Sequence, residues 1–193
     1  MSDSSSRRAE VAGLVRERGL LRLPEPVQLK SGDMSRDFVD VKKALANGAD
    51  LRTACVAVVE ALAGAGIEYD AVGGMTMGAD PFAHVIAVLQ GCGWFSVRKA
   101  AKGRGTNQRV EGARIGQGDR VVIIEDAVTR ASSIREAFEV VKETGATVVA
   151  AVTLVDRGES ARPWFDAQGV PYLALVTYRD LGIEPVGDGL VSA

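Results

Sequence analysis

Two adjacent carboxylates followed closely by a cluster of hydroxyls are the residues of this chain best suited to chemistry. Glu125 and Asp126 come directly after Val121-Val122-Ile123-Ile124, and Thr129, Ser132 and Ser133 follow in a short loop. Paired acids at the end of an apolar run are costly unless something beside them needs negative charge. Such a pair suits sugar hydroxyls, a metal or a developing positive charge. The loop leads into residues 134–142, whose apolar positions fall at helical spacing. Its free backbone N–H groups and the positive end of the helix dipole would receive a phosphate. The plainer alternative is a strand end with a serine cap. The crowding of acids and hydroxyls into one stretch favours chemistry.

Two further stretches complete a possible site. Gly73-Gly74-Met75-Thr76-Met77-Gly78 follows a short apolar segment and precedes a helix with Pro81 in its first turn, a weak signal for a second anion loop. Between 98 and 109 stand Arg98, Lys99, Lys102, Arg104 and Arg109, separated by glycines and small polar residues. In a chain of net charge −2 this is the one strong local positive field. It reads either as a solvated basic loop or as a lid over a diphosphate. Glycines allow motion and the cations need an anion to order them, which favours the lid.

These groups need a frame. Val121–Ile124 suits a strand buried on both faces, as in a parallel sheet. Further strands at 69–72, 93–98, 147–155 and 172–177 alternate with helices at 51–65, 81–89, 134–142 and 161–167. That alternation predicts a mainly parallel, doubly wound α/β sheet, in which ligands bind beyond the carboxyl ends of the strands. Ahead of it, 9–18 suits a helix ended by Gly19. Residues 20–27, with Pro24 and Pro26, read as edge or loop, and 27–41 as a hairpin about Ser31-Gly32. Lys30, at that turn, is by itself an ordinary surface lysine. His84 falls inside the 81–89 helix and reads as structural.

Composition narrows the classes. A chain of 193 residues with 47% hydrophobic and 25% charged content is one globular domain with an adequate core. The slight negative charge gives no general attraction to nucleic acid or an anionic membrane. Cys55 and Cys92 match no metal or redox spacing and suit a reducing cytoplasm. With His84 the only histidine, a zinc site is not expected. No apolar run approaches the roughly 20 residues of a membrane span. Residues 1–8 lack a signal peptide's apolar core and read as a flexible tail.

The stretch 121–134 resembles the ribose-phosphate signature of the type I phosphoribosyltransferases. With Leu29-Lys30-Ser31-Gly32 and nearby Phe38, Val72 to Pro81, Arg98 to Gly105 and Leu154-Val155-Asp156-Arg157, nearly the whole chain is similar to the orotate phosphoribosyltransferase family. The resemblance implies a type I phosphoribosyltransferase fold with an N-terminal hood over about 20–45 and a mobile lid over 98–112. It implies transfer of ribose 5-phosphate from phosphoribosyl diphosphate (PRPP) to orotate in pyrimidine synthesis, with magnesium bound mainly through PRPP and water. Lys102, Glu125 and Asp126 would be catalytic. PRPP would be held by Arg98, Lys99, Lys102, Arg104, Thr76, Glu125, Asp126 and the run Ala127, Val128, Thr129, Arg130, Ala131, Ser132, Ser133. Orotate would meet Lys30, Phe38, Thr129 and Arg157, whose fork suits a planar carboxylate. A cytoplasmic homodimer sharing its lids is the implied assembly.

The chain departs from the family pattern in places. Arg130 and Ala131 stand where a small residue and a glycine are usual, Arg104 replaces a histidine, and Met77 stands near the place of a common lysine. If the loop needs a positive φ, Ala131 is strained by about 1 kcal/mol. Two other readings share the motifs: a relative acting on another base, and a non-catalytic PRPP-binding regulator.

Overall fold

The structure is a computed structural model that describes residues 2–29, 32–100 and 108–186. Its centre is a six-stranded sheet in the order β5-β4-β3-β6-β7-β8. These strands are Ala71–Met75 (β3), Gly93–Val97 (β4), Val110–Gly112 (β5), Arg120–Val128 (β6), Thr147–Asp156 (β7) and Tyr172–Thr177 (β8). All pairings are parallel except that of β5 with β4 at the edge.

Alternation along β6 explains the layers. Val122 and Ile124 join one apolar cluster, Val121 and Ile123 the other, and all four are fully buried. The first cluster is closed by Ser2–Leu14 (α1), Gly48–Gly64 (α3) and Asp80–Gln90 (α4), through residues such as Val11, Val58 and Ile86. The second is closed by Ser132–Glu143 (α5) and Ala161–Ala167 (α6), through Ile134, Phe138 and Phe165. Helices therefore cover both faces of a mainly parallel sheet. At its centre Gly73 and Gly74 are obligatory, since an added Cβ would stand 2.1 Å from the Phe95 carbonyl and 2.0 Å from that of Ile124.

Strand β6 runs further than the apolar run Val121–Ile124. Its neighbour β7 stays extended to Asp156 and pairs Glu125 with Thr153 and Val128 with Asp156. The acids therefore lie within the strand, near its carboxyl end. The segment 1–8, expected as a flexible tail, also departs from expectation. Helix α1 begins at Ser2, and the Arg7 guanidinium donates to the Glu60 carboxylate of α3. The stretch 20–27 is strand: Leu20–Gln28 (β1) pairs antiparallel with Met34–Val39 (β2), with a register shift between Arg22 and Val27 that absorbs the two prolines. This hairpin forms a sheet of its own. Val41–Ala44 (α2) follows, capped by the Asp40 carboxylate, which accepts from the Lys43 amide. Among the described residues no helix is long and apolar enough to cross a membrane.

Candidate active site

The strand order reverses between β3 and β6, which are adjacent in space and far apart in sequence. Loops leaving their carboxyl ends diverge and leave a crevice there. The candidate anion loop expected from Gly73 begins only at Thr76, because Gly73, Gly74 and Met75 pair with β4 as strand, and its remainder borders the crevice together with the loop after β6.

Residues 76–79, after β3, form the first wall. The Thr76 amide donates to the Val97 carbonyl at 2.8 Å, and the Thr76–Met77 peptide is cis. Asp80 gathers the surrounding hydroxyls, accepting from Thr76 Oγ1 at 2.6 Å and Ser96 Oγ at 2.7 Å. Gly78 passes so close to β6 that a Cβ there would lie 2.7 Å from Asp126 Oδ1 and 2.8 Å from Glu125 Oε1. The Gly78 backbone thus packs directly on both carboxylates.

A cavity of about 250 Å³ opens at this point, lined by Glu125, Asp126, Thr76, Ser133, Lys99 and Lys42. Lys42 comes from α2 and pairs with Asp126 Oδ2 at 2.5 Å. Burial acts to lower the Lys42 pKa, but the bond to Asp126 and the charges of Asp126, Asp40 and Glu125 outweigh it and raise it. The sequence reading passed over Lys42, which precedes Lys43 just beyond the hairpin and resembles a solvated basic pair. Only the docking of α2 against the end of β6 brings it to the acids.

The second wall is the loop between β6 and α5. Ala131 stands at the helix N-cap with φ +61°, the only non-glycine residue with positive φ among those described. The expected positive φ is therefore present, and the alanine adopts it while 4% exposed. A second pocket, of about 40 Å³, is lined by Glu125, Thr129, Ser132 and Ser133, with Ala127, Val128 and Ala131 around it. Arg130 turns away from this pocket. Its Nε and Nη2 donate to Asp33 Oδ2 at 3.0 Å and Oδ1 at 2.6 Å, bridging to the hairpin.

Arg157 follows β7 and is 3% exposed. Its amide donates to the Val128 carbonyl and its carbonyl accepts from the Val186 amide, both at 2.8 Å. Nη2 donates to the Asp37 carbonyl at 2.7 Å and approaches Ser35 Oγ at 3.4 Å, whereas Nε has no partner among the described residues. Burial lowers its pKa, opposed by the charges of Asp37 and Asp33. A buried cation with a vacant donor beneath the hairpin suits an anionic, planar ligand. Phe38 lies on the same hairpin, 44% exposed.

The basic stretch divides. Lys99 reaches the cavity, whereas Arg98 pairs with Glu111 at 3.3 Å. Arg109 holds the foot of the stretch, donating to the Arg98 carbonyl at 2.9 Å and the Lys99 carbonyl at 3.0 Å and pairing with Glu136 of α5. Lys30, Lys102 and Arg104 lie outside the described residues. His84 packs edge-on against Trp94 at 4.4 Å, away from the crevice.

An acid pair between two candidate anion loops at the switch point of a parallel sheet suits a phosphorylated sugar. The phosphoribosyl transferase domain family matches residues 43–171. The orotate phosphoribosyltransferase of Corynebacterium glutamicum is 36% identical over 94% of this chain and 97% of its own length. That of Streptomyces coelicolor is 40% identical over 82% and 88%. A crystal structure of the Mycobacterium tuberculosis orotate phosphoribosyltransferase in complex with 5-phospho-α-D-ribosyl 1-diphosphate superposes with a TM-score of 0.75 at 32% identity, covering 92% of this chain and 99% of that one. The chain belongs to the orotate phosphoribosyltransferase family.

Proposed function

We propose that this protein transfers ribose 5-phosphate from PRPP to N1 of orotate, giving orotidine 5′-phosphate and diphosphate. The observation that carries the reading is the contact of the Gly78 loop with Glu125 and Asp126, which sets a diphosphate-sized opening against two carboxylates. Backbone amides and hydroxyls from Thr129 to Ser133 would hold the 5-phosphate. Glu125 and Asp126 would hold the ribose hydroxyls. As the C1–O bond to diphosphate breaks, positive charge grows at C1 and faces the acids, while Lys99 and Lys102 meet the negative charge on the leaving group. N1 of orotate then forms the new bond at C1 and loses its proton to the departing diphosphate or to water. Preorganised charge of this kind is often the largest catalytic term, and loss of one contact typically costs about 100- to 1,000-fold. Arg157, with its vacant Nε, would take the acceptor's carboxylate, assisted by Lys30 and Phe38.

Magnesium fits the donor set. No group of three His, Cys, Asp or Glu side chains among the described residues could enclose a metal. A cation here would take most ligands from PRPP and water, with Asp126 and Glu125 alongside. When bound, it would supply positive charge beside the diphosphate.

The proposed assembly is a cytoplasmic homodimer in which each lid reaches the partner's site. Val88 on α4 and Trp94 on β4, 84% and 41% exposed, offer apolar surface for such a contact. The deciding experiment follows orotate by ultraviolet absorbance with PRPP and magnesium. PRPP-dependent loss at an enzymatic rate is expected. Calorimetric binding of PRPP without loss of orotate would reject this acceptor and favour another base or a regulatory role.

A further inference from the structure

The backbone around Arg157 is held from three sides. Strand β8 ends at Thr177 beside Asp156. The short helix Tyr178–Leu181 (α7) and the left-handed Gly182 then reverse the chain. The returning segment brings Val186, which is buried, against the turn 156–158. There the Val186 amide donates to the Arg157 carbonyl, while the Arg157 amide donates to the Val128 carbonyl of β6, each at 2.8 Å. Asp156 closes the turn, accepting from the Gly158 amide at 3.1 Å and from the Tyr172 hydroxyl of β8 at 2.9 Å. Gly158 marks how closely these parts meet. A Cβ there would stand 2.2 Å from the Val186 carbonyl oxygen and 3.0 Å from that of Thr129. The turn is therefore wedged between the segment ending at Val186 and the loop after β6. At the far end of the side chain, the Nη2 bond to the Asp37 carbonyl ties Arg157 to the hairpin. With root and tip both fixed, the buried Nε, which has no hydrogen-bond partner, is held in one direction.

We propose that Val186 is a positioning residue for the acceptor: its backbone straps the 156–158 turn against the loop after β6 and so aims Arg157 Nε at the acceptor's carboxylate. The inference rests on the orotate reading above. The strap acts through main-chain atoms, so the amide at 186 matters more than the side chain it carries. Without the strap the root of Arg157 shifts while its tip stays on the hairpin, which turns the vacant donor. Hydrogen bonds weaken steeply as their angle closes. A displacement of about 1 Å can cost about 100-fold, and a partial shift correspondingly less. Glu125 and Asp126 lie within β6, where β7 pairs alongside them, and keep their places.

The test loosens the strap from both sides and reads steady-state kinetics for orotate and PRPP. Val186→Pro removes the donating amide, Gly158→Ala drives a methyl into the Val186 carbonyl, and Val186→Ala keeps both backbone groups. Val186→Pro and Gly158→Ala should each raise KM for orotate about tenfold, with KM for PRPP and kcat changed less than about threefold. Val186→Ala should stay within about threefold of wild type in all three constants. Because the strap acts through Arg157, adding Val186→Pro to Arg157→Lys should raise KM for orotate by less than about threefold beyond Arg157→Lys alone. A merely structural brace predicts a lower unfolding temperature with KM for orotate unchanged, or an equal rise in KM for both substrates. Either pattern overturns the strap, as does a full tenfold effect of Val186→Pro in the Arg157→Lys background. A wild-type protein that consumes no orotate overturns the acceptor reading and the strap together, and the wild-type assay alone tells this apart from failure of the strap.

Discussion

At the scale of single residues, Ala131 and Lys42 show how far types and spacing can be read. The strain at Ala131 was legible as a condition, because the alanine stands where the family usually has a glycine, and the structure gives it φ +61°. Ala131→Gly should change stability by less than about 1 kcal/mol. Relief of about 1–2 kcal/mol of left-handed strain is offset by the lost buried methyl, about 0.8 kcal/mol, and by the freer unfolded chain. Ala131→Val should cost more than about 2 kcal/mol, since a β-branched residue is a severe outlier there. Thermal unfolding of the two variants checks both figures. Lys42 was not legible, because its partner Asp126 lies 84 residues away. Its pKa is raised above 10.5 in the fold, so its contribution to stability is complete below 10.5 and is lost as pH rises through the folded value. Lys42→Met should therefore flatten the alkaline limb of the stability profile measured by urea unfolding between about pH 9.5 and 11.5 (roughly one unit either side of a typical lysine).

At the scale of elements, the parallel sheet was legible and the hairpin only in part. Unbroken apolar runs such as Val121–Ile124 admit few placements, and each was found buried. The extent of β6 was not legible, since Glu125 and Asp126 stay extended only because β7 pairs alongside them. In the same way Leu20–Gln28 is strand in spite of its prolines because β2 supplies a partner. Cavity formation in β6 should be severe: Ile123→Ala should cost about 2–5 kcal/mol by chemical denaturation. The start of this strand is tied to β3 through Arg120 and Asp70, whose carboxyl the Arg120 side-chain and backbone bonds hold at about 2. Its contribution is present above the ordinary value of 3.8 and is lost as pH falls towards 2. Asp70→Asn should flatten the acid limb over that range at low salt, and added salt should shrink the difference because the pair is exposed.

At the scale of the whole molecule, the site draws on residues from 33 to 157, so it exists only once the sheet is complete. The proposed sharing of lids has its own test. Lys102→Ala and Asp126→Asn should each be nearly inactive as pure proteins. Mixing and re-equilibrating the two should recover activity, because a mixed dimer would then hold one site with neither defect. Recovery no greater than the sum of the pure variants would place each lid over its own site. The separation of the sheets has a consequence for descent as well as for catalysis. The groups proposed to activate the sugar stand on the six-stranded sheet, whereas Phe38, Asp33 and Ser35 belong to the two-stranded one or its turn. The hairpin leans on the body through Arg130 and Arg157, contacts that lie outside both hydrogen-bonded ladders. Selection can therefore reshape the surroundings of the acceptor by rewriting the hairpin above Arg157, leaving the machinery proposed to break the C1–O bond to diphosphate inherited intact.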